Sequence, residues 1–150
     1  MHQKTVVKQA TLSELPLLTV LFDQYRQFYK QPSQPLDCAE FLKGRISQQE
    51  SFLFIATQDS DAIGFIQLYP SFSSIGLRRL LILNDLYVAV NFRKMGVAQM
   101  LMAYCMDWAK EKDYKGLTLK TAKDNLGAQS LYKKLGWIKD EKFDSYQLIF

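Results

Sequence analysis

Histidine occurs once, as His2, and that scarcity excludes more chemistry than any other feature of the composition. Ser-His-Asp and Cys-His mechanisms need an imidazole held in a folded site, whereas His2 lies in the first residues of the chain, where order is usually poor. Proton transfer therefore falls to carboxylates, tyrosines, water or the substrate itself. Cysteine is nearly as scarce. Cys38 and Cys105 are the only two, without C-x-x-C spacing, which argues against a zinc centre or a disulfide framework and leads us to expect no metal site. Cys105, on the apolar face of a helical pattern, reads as a small buried hydrophobe. No apolar run of about 18 residues exists, and Met1 to Ala10 lacks the basic-then-apolar pattern of a leader. No membrane partner and a cytoplasmic location are expected. Also missing are the G-x-x-x-x-G-K-[ST] phosphate loop and the G-x-G-x-x-G dinucleotide fingerprint.

What the chain does have is an ordinary globular composition, with 48% hydrophobic and 23% charged residues over 150 positions. That length predicts one domain, residues 1–150, able to bury a sizeable core. The net charge of +4 raises the question of nucleic acid. The basic residues are dispersed, however, with only Arg78-Arg79, Arg93-Lys94 and Lys133-Lys134 adjacent, and no aromatic-basic repeat. No nucleic-acid partner is expected, and a phosphorylated cofactor explains a mild positive bias equally well.

Patterning places the elements. Thr5 to Val7 begin a strand, and Thr11-x-x-Glu14 is a capping box for a helix carrying Leu15, Leu18, Phe22, Tyr25 and Tyr29. Pro32 and Pro35 break it, and Asp37-x-x-Glu40 is a second capping box for a shorter helix. Phe52 to Thr57 and Ala62 to Tyr69 predict a hairpin, with Pro70 stopping or kinking the second strand. Arg79 to Val90 reads as a central strand, apolar except for Asn84 and Asp85. A helix from Val97 to Lys112, a strand at Leu117 to Thr121 and a helix from Asn125 to Leu135 follow, the last stopped by Gly136. Trp137 to Lys139 and Tyr146 to Phe150 are expected to supply closing strands. The sum is a mixed sheet flanked by helices, of the α/β or α+β type.

The most informative stretch is Arg93-Lys94-Met95-Gly96-Val97-Ala98, between the apolar strand and the amphipathic helix. A basic, glycine-containing turn into a helix aims free N–H groups and the positive end of a helix dipole at one point, which suits an anion. Gly96 lets a phosphate approach the main chain, and Ala98 leaves the next turn uncrowded. Taken alone, the stretch is equally compatible with an ordinary tight turn.

The strand Leu83-Asn84-Asp85-Leu86-Tyr87-Val88, the turn Arg93-x-x-Gly96-x-Ala98, and then Asn125, Ala128, Leu131-Tyr132 and Leu135-Gly136-Trp137 together resemble the GNAT N-acetyltransferase superfamily. In that family a [QR]-x-x-G-x-[GA] turn holds the pyrophosphate of acetyl-coenzyme A, and an N-x-x-A-x-x-x-Y helix follows the next strand. One departure is Val90-Asn91-Phe92, where members often have a proline before the turn.

The resemblance implies a mixed, mostly antiparallel sheet of six to seven strands with about four helices, acetyl-CoA as cofactor, and a homodimer as a common assembly. It implies cofactor contacts from Leu86, Tyr87 and Val88 along the strand, Arg93, Lys94, Met95, Gly96, Val97 and Ala98 at the turn, and Asn125 and Ala128. Tyr132 would return a proton to the departing sulfur. A phenol of pKa about 10 and a thiol of about 8.5 are matched closely enough for that transfer, although a tyrosine beside Leu131 is also explained by packing. Asn125 is equally a helix cap.

The acceptor amine must lose a proton, and Asp85 is the candidate base, directly or through water. A structural carboxylate is its alternative. Polyamine-acetylating relatives carry Glu-Asp where Asn84-Asp85 stands here, which weakens that substrate class. Tyr25, Phe28, Tyr29, Tyr69 and Asn84 are candidate substrate contacts, since aromatics hold cations or apolar chains, but Tyr25 and Tyr29 at helical spacing also suit a core. Three functions remain open: acetylation of a small amine such as an amino acid or polyamine-like metabolite, acetylation of a protein lysine or N-terminus, and an acyl-CoA-binding sensor without turnover.

Overall fold

The computed structural model describes residues 4–150; His2 lies outside the described residues. A larger compact unit ends at Leu119 and a smaller one begins at Lys120. The larger unit contains β1 (Thr5–Gln9), a 3-10 turn (Leu12–Glu14), α1 (Leu15–Phe28), α2 (Pro35–Ser47), β2 (Phe52–Gln58), β3 (Asp61–Ser73), β4 (Arg78–Val88), a 3-10 turn (Val90–Phe92), α3 (Val97–Glu111) and β5 (Leu117–Leu119). The strands form one sheet in the order β1-β2-β3-β4-β5. All neighbours are antiparallel except the last pair, where α3 carries the chain back to lay β5 parallel to β4.

The sheet has two covered faces. On one, Leu53, Ile55, Phe65 and Tyr87 pack against Leu18, Leu21 and Phe22 of α1 and Cys38 and Leu42 of α2. On the other, Phe54 meets Tyr104 and Trp108 of α3, with ring centroids 5.6 and 5.2 Å apart. Alternate residues of β2 thus serve opposite cores, which explains the near-continuous apolar run. Cys105 is fully buried, as a small hydrophobe should be. No helix of the described residues is long and apolar enough to cross a membrane.

Several boundaries differ from the sequence pattern for identifiable reasons. The Thr11/Glu14 capping box forms, with Thr11 N–H donating to Glu14 Oε2 at 2.7 Å. The Asp37-x-x-Glu40 box does not, because Pro35 takes the first helical position and makes Gln34 the cap, leaving Asp37 inside the first turn. Pro70 neither stops nor ends β3, which pairs with β4 as far as Ser73. β2 begins opposite Leu68, so at Pro70 only one edge of β3 is paired and a missing N–H is tolerated.

In the smaller unit, α4 (Leu126–Lys134) is capped by Asn125 and ends at Gly136. There Trp137 N–H returns to Tyr132 O at 2.9 Å and Gly136 N–H to Lys133 O at 3.1 Å, the two bonds of a Schellman motif. The sheet has five strands rather than six or seven, because Trp137 to Lys139 and Tyr146 to Phe150 carry no strand. Alternating apolar residues make a segment able to pair, but a strand exists only where a neighbour completes the ladder.

Candidate active site

The register of β3 against β4 shifts once: Gln67 pairs with Asp85, but Leu68 pairs with Leu83. Asn84 is therefore an extra residue, a β-bulge, and it is exposed. Partners across a ladder share a face, so Leu83 lies with Leu68 and Asp85 lies with Gln67 on the opposite side. Without the bulge, Asp85 would follow Leu83 to the α3 face. With it, Asp85 joins Tyr87 on the face covered by α1 and α2.

The bulge also changes which main-chain groups face outward. Leu81 N–H donates to Gly116 O at 3.0 Å, on the β5 side, whereas Ala89 N–H donates to Ile63 O at 2.8 Å, on the β3 side. Alternation from Ala89 assigns the polar groups of Tyr87 and Asp85 to β3 and those of Leu86 and Val88 to the far edge. On that edge β5 pairs only as far as Leu83, while β4 continues to Val88. Among the described residues no strand pairs with this edge at Leu86 and Val88. Val88 O accepts from Arg93 Nε at 2.9 Å. The N–H and C=O of Leu86 and the N–H of Val88 remain for an extended amide-bearing ligand. Tyr87, expected beside them, turns its main chain to β3 and its ring to the core.

The same edge leads into the turn. Gly96 caps α3 in the left-handed region at φ +79°, and Lys94 is also left-handed at φ +63°. A Cβ on Gly96 would meet no atom within 4 Å, so the glycine is needed for backbone conformation and not to relieve crowding. It offers no side chain to the first turn of α3, which also carries no acidic residue. An anion at this helix start would have neither a side-chain cap nor a carboxylate to displace. Val97 is buried and anchors the turn onto Gly64, whose missing Cβ would sit 2.9 Å from Tyr87 O and 3.4 Å from Val97 Cγ1. Met95 is exposed and Ala98 half-buried at the helix start.

Arg93 also makes contacts beyond the turn. Its guanidinium lies 5.3 Å from the Phe28 ring centre and 5.4 Å from that of Tyr87 while Nε is committed to Val88. The side chain ties the turn to α1 and β4.

On the α1/α2 face, Asp85 is buried and receives Gln67 Nε2 on Oδ2 at 2.7 Å and Asn84 Nδ2 on Oδ1 at 3.1 Å. Burial, then the Asp85 charge, push the Tyr25 phenol well above its ordinary range. The Tyr69 phenol is pushed up to about 12, by burial first and Asp85 second. Both tyrosines thus stay protonated. The ring of Tyr25 packs on Phe22, Phe65 and Tyr87, so it is core at its ring and site at its hydroxyl. Phe28 and Tyr29 are exposed at the end of α1. Asn84 touches the site through Asp85.

Sequence reasoning missed Gln67, although a glutamine inside an apolar strand is the same signal that singled out Asp85. In the smaller unit, Asn125 Oδ1 accepts from Ala128 N–H at 3.3 Å, which establishes its capping role. Tyr132, half-buried on α4, has its ring 6.1 Å from that of Trp137.

A strand edge that no described strand pairs, running into an uncapped helix start, suits an extended ligand with an anionic end. The model of the Acetyltransferase (GNAT) family matches residues 16–137. The chain belongs to the GNAT family. It is accordingly an acyltransferase, of a family that uses acetyl-CoA. The uncharacterized N-acetyltransferase YhfO of Bacillus subtilis (strain 168) is 40% identical over 142 residues, covering 95% of each chain. The crystal structure of a probable acetyltransferase is 39% identical and covers 97% of both chains with a TM-score of 0.91. The aminoglycoside N(6')-acetyltransferase type 1 of Salmonella typhimurium is 28% identical over 132 residues, covering 83% of this chain and 90% of that one. The GNAT fold, with a five-stranded mixed sheet and four helices, agrees with these relatives.

Proposed function

We propose that this GNAT enzyme moves the acetyl group of acetyl-CoA to a primary amine of a small molecule, by direct attack within a ternary complex, the two units acting as one GNAT domain. The observation that carries the reading is the edge of β4 at Leu86 and Val88, left open beyond Leu83 and running into the uncapped start of α3. The N–H and C=O of Leu86 and the N–H of Val88 would hold the pantetheine amides. The main chain of residues 94–98 would hold the pyrophosphate, aided by the helix dipole. Acetyl-CoA supplies an activated carbonyl and a thiol leaving group.

A primary amine of pKa about 10.4 arrives mostly protonated, and the attacking nitrogen needs its lone pair. Asp85, buried and held by the neutral amides of Gln67 and Asn84, is the proton acceptor in this reading. Attack forms the C–N bond, cleavage breaks C–S, and Tyr132 returns a proton to the sulfur. A small acceptor is supported by the likeness to an aminoglycoside acetyltransferase and by the aromatic groups of Tyr25 and Tyr69 near the carboxylate, which suit a compact cation. Neither the acid nor the base is needed by a protein that only binds acyl-CoA.

The test is free-thiol release from acetyl-CoA across amino acids, polyamines, aminoglycosides and lysine peptides. Release with a small amine and not with peptides supports the reading; release with peptides alone would move the acceptor to protein.

A further inference from the structure

Gln67 and Asp85 stand directly opposite one another in β3 and β4, on a face otherwise built from Leu53, Ile55, Phe65 and Tyr87. Gln67 is fully buried and Asp85 is 5% exposed. An ionised carboxylate only accepts, so the bond of 2.7 Å to Asp85 Oδ2 fixes the amide with its nitrogen toward Asp85. Gln67 Oε1 is then turned away, and it is buried with no hydrogen-bond partner. An unpartnered buried acceptor lowers stability, and a leucine here would extend the apolar face without that loss. A group that the fold would do better without points to a requirement other than folding.

The other donor to Asp85 is held less firmly. Asn84 is an exposed bulge residue. Gln67 alone projects from the neighbouring strand, at a ladder position whose backbone is paired on both sides, with Leu53 in β2 and Asp85 in β4. It is the donor best placed to hold Asp85 in one rotamer.

We propose that Gln67 is the positioning residue for Asp85, fixing one carboxylate oxygen so that the other side of the group is presented to the amine at constant orientation. The inference rests on the reading of Asp85 as proton acceptor. It makes Gln67 a determinant of turnover that touches neither acetyl-CoA nor the acetyl group.

The experiment measures thiol release from acetyl-CoA with sisomicin and with spermidine as amines, for the wild type, Gln67→Leu, Asp85→Asn and the double variant, between about pH 7 and pH 9.5. The expected result for Gln67→Leu is a melting temperature at or above wild type, an unchanged KM for acetyl-CoA, and a loss of roughly 10- to 100-fold in kcat. That loss should narrow at high pH, where solution supplies more free amine, and Gln67→Leu should add nothing in the Asp85→Asn background. Gln67→Met, closer in shape, repeats the test if the leucine variant misfolds. Wild-type turnover in Gln67→Leu alongside an inactive Asp85→Asn would overturn the positioning role, as would losses that multiply and ignore pH. Full activity in Asp85→Asn would instead remove Asp85 as the base. No release by the wild type with either amine would contradict the small-amine reading itself.

Discussion

Arg93 Nε donates to the carbonyl oxygen of Val88 at 2.9 Å, closing the basic turn back onto the last residue of the strand it leaves. The bond removes one acceptor from the open edge of β4 and leaves the N–H of Val88 as the outermost polar group there. It also carries the guanidinium to within 5.3 Å of the Phe28 ring centre and 5.4 Å of that of Tyr87.

That arrangement separates two roles for Arg93. Arg93→Lys keeps the charge but loses the planar group that stacks on two rings while donating sideways. If the side chain is a tether, both Arg93→Lys and Arg93→Ala should lower stability by about 1 kcal/mol and raise the KM for acetyl-CoA several-fold. Thermal melts and steady-state kinetics check this. Near-complete retention by the lysine variant would assign the side chain to phosphate instead.

Gly96 holds a left-handed φ with open space around it. Gly96→Ala should therefore cost about 1–2 kcal/mol through backbone strain alone, with the turn relaxing away from its present shape. Calorimetric titration should show weaker acetyl-CoA binding by a folded protein. Unchanged affinity would mean that the turn does not hold the pyrophosphate.

Removing only the hydroxyl in Tyr132→Phe should reduce kcat by about 10- to 100-fold while acetyl-CoA affinity stays close to wild type. Pre-steady-state thiol release beside a binding titration distinguishes the acid from a packing residue. A variant with wild-type turnover would leave only the packing role.

Acid should destabilise the larger unit through two carboxylates, Glu14 and Asp23. Lys8 beside Glu14, 2.8 Å away, with Thr11 adding its bonds, lowers Glu14 from 4.5 to about 2. The hydroxyl of Ser33 and the N–H of Gln34, each 2.7 Å away, lower Asp23 and pin the α1–α2 connection. A folded-state pKa below the unfolded value means that the unfolded chain binds more protons in that window. Stability is therefore full above about pH 4.5 and falls as pH drops toward about 2. Melts across that range should show the decline, and Glu14→Gln should flatten it.

How far the sequence reached depends on which physical signal each feature carries. The helices were legible because amphipathic spacing and caps are local, as at Thr11, Glu14 and Asn125. The turn into α3 was legible because a glycine at a strand-to-helix junction is a local signal. The bulge at Asn84 was not, since two polar residues in a strand do not reveal which one is extra; only the partner register decides that. The bulge in turn determines that Asp85 faces α1 and α2, and that Leu86 and Val88, but not Tyr87, offer polar groups to the open edge. The ring contacts of Arg93 were not legible for a similar reason: its partners, Phe28 and Tyr87, come from other elements. The closing strands were expected from alternation alone, and pairing is a property of two segments.

The central claim is that the open edge of β4 and the start of α3 form the cofactor slot. Amide hydrogen exchange with and without coenzyme A tests it most directly. The account predicts slowed exchange at Leu86, at Val88 and across residues 94–98, with Tyr87, already bonded to β3, nearly unchanged; protection confined to other parts of the chain would contradict it.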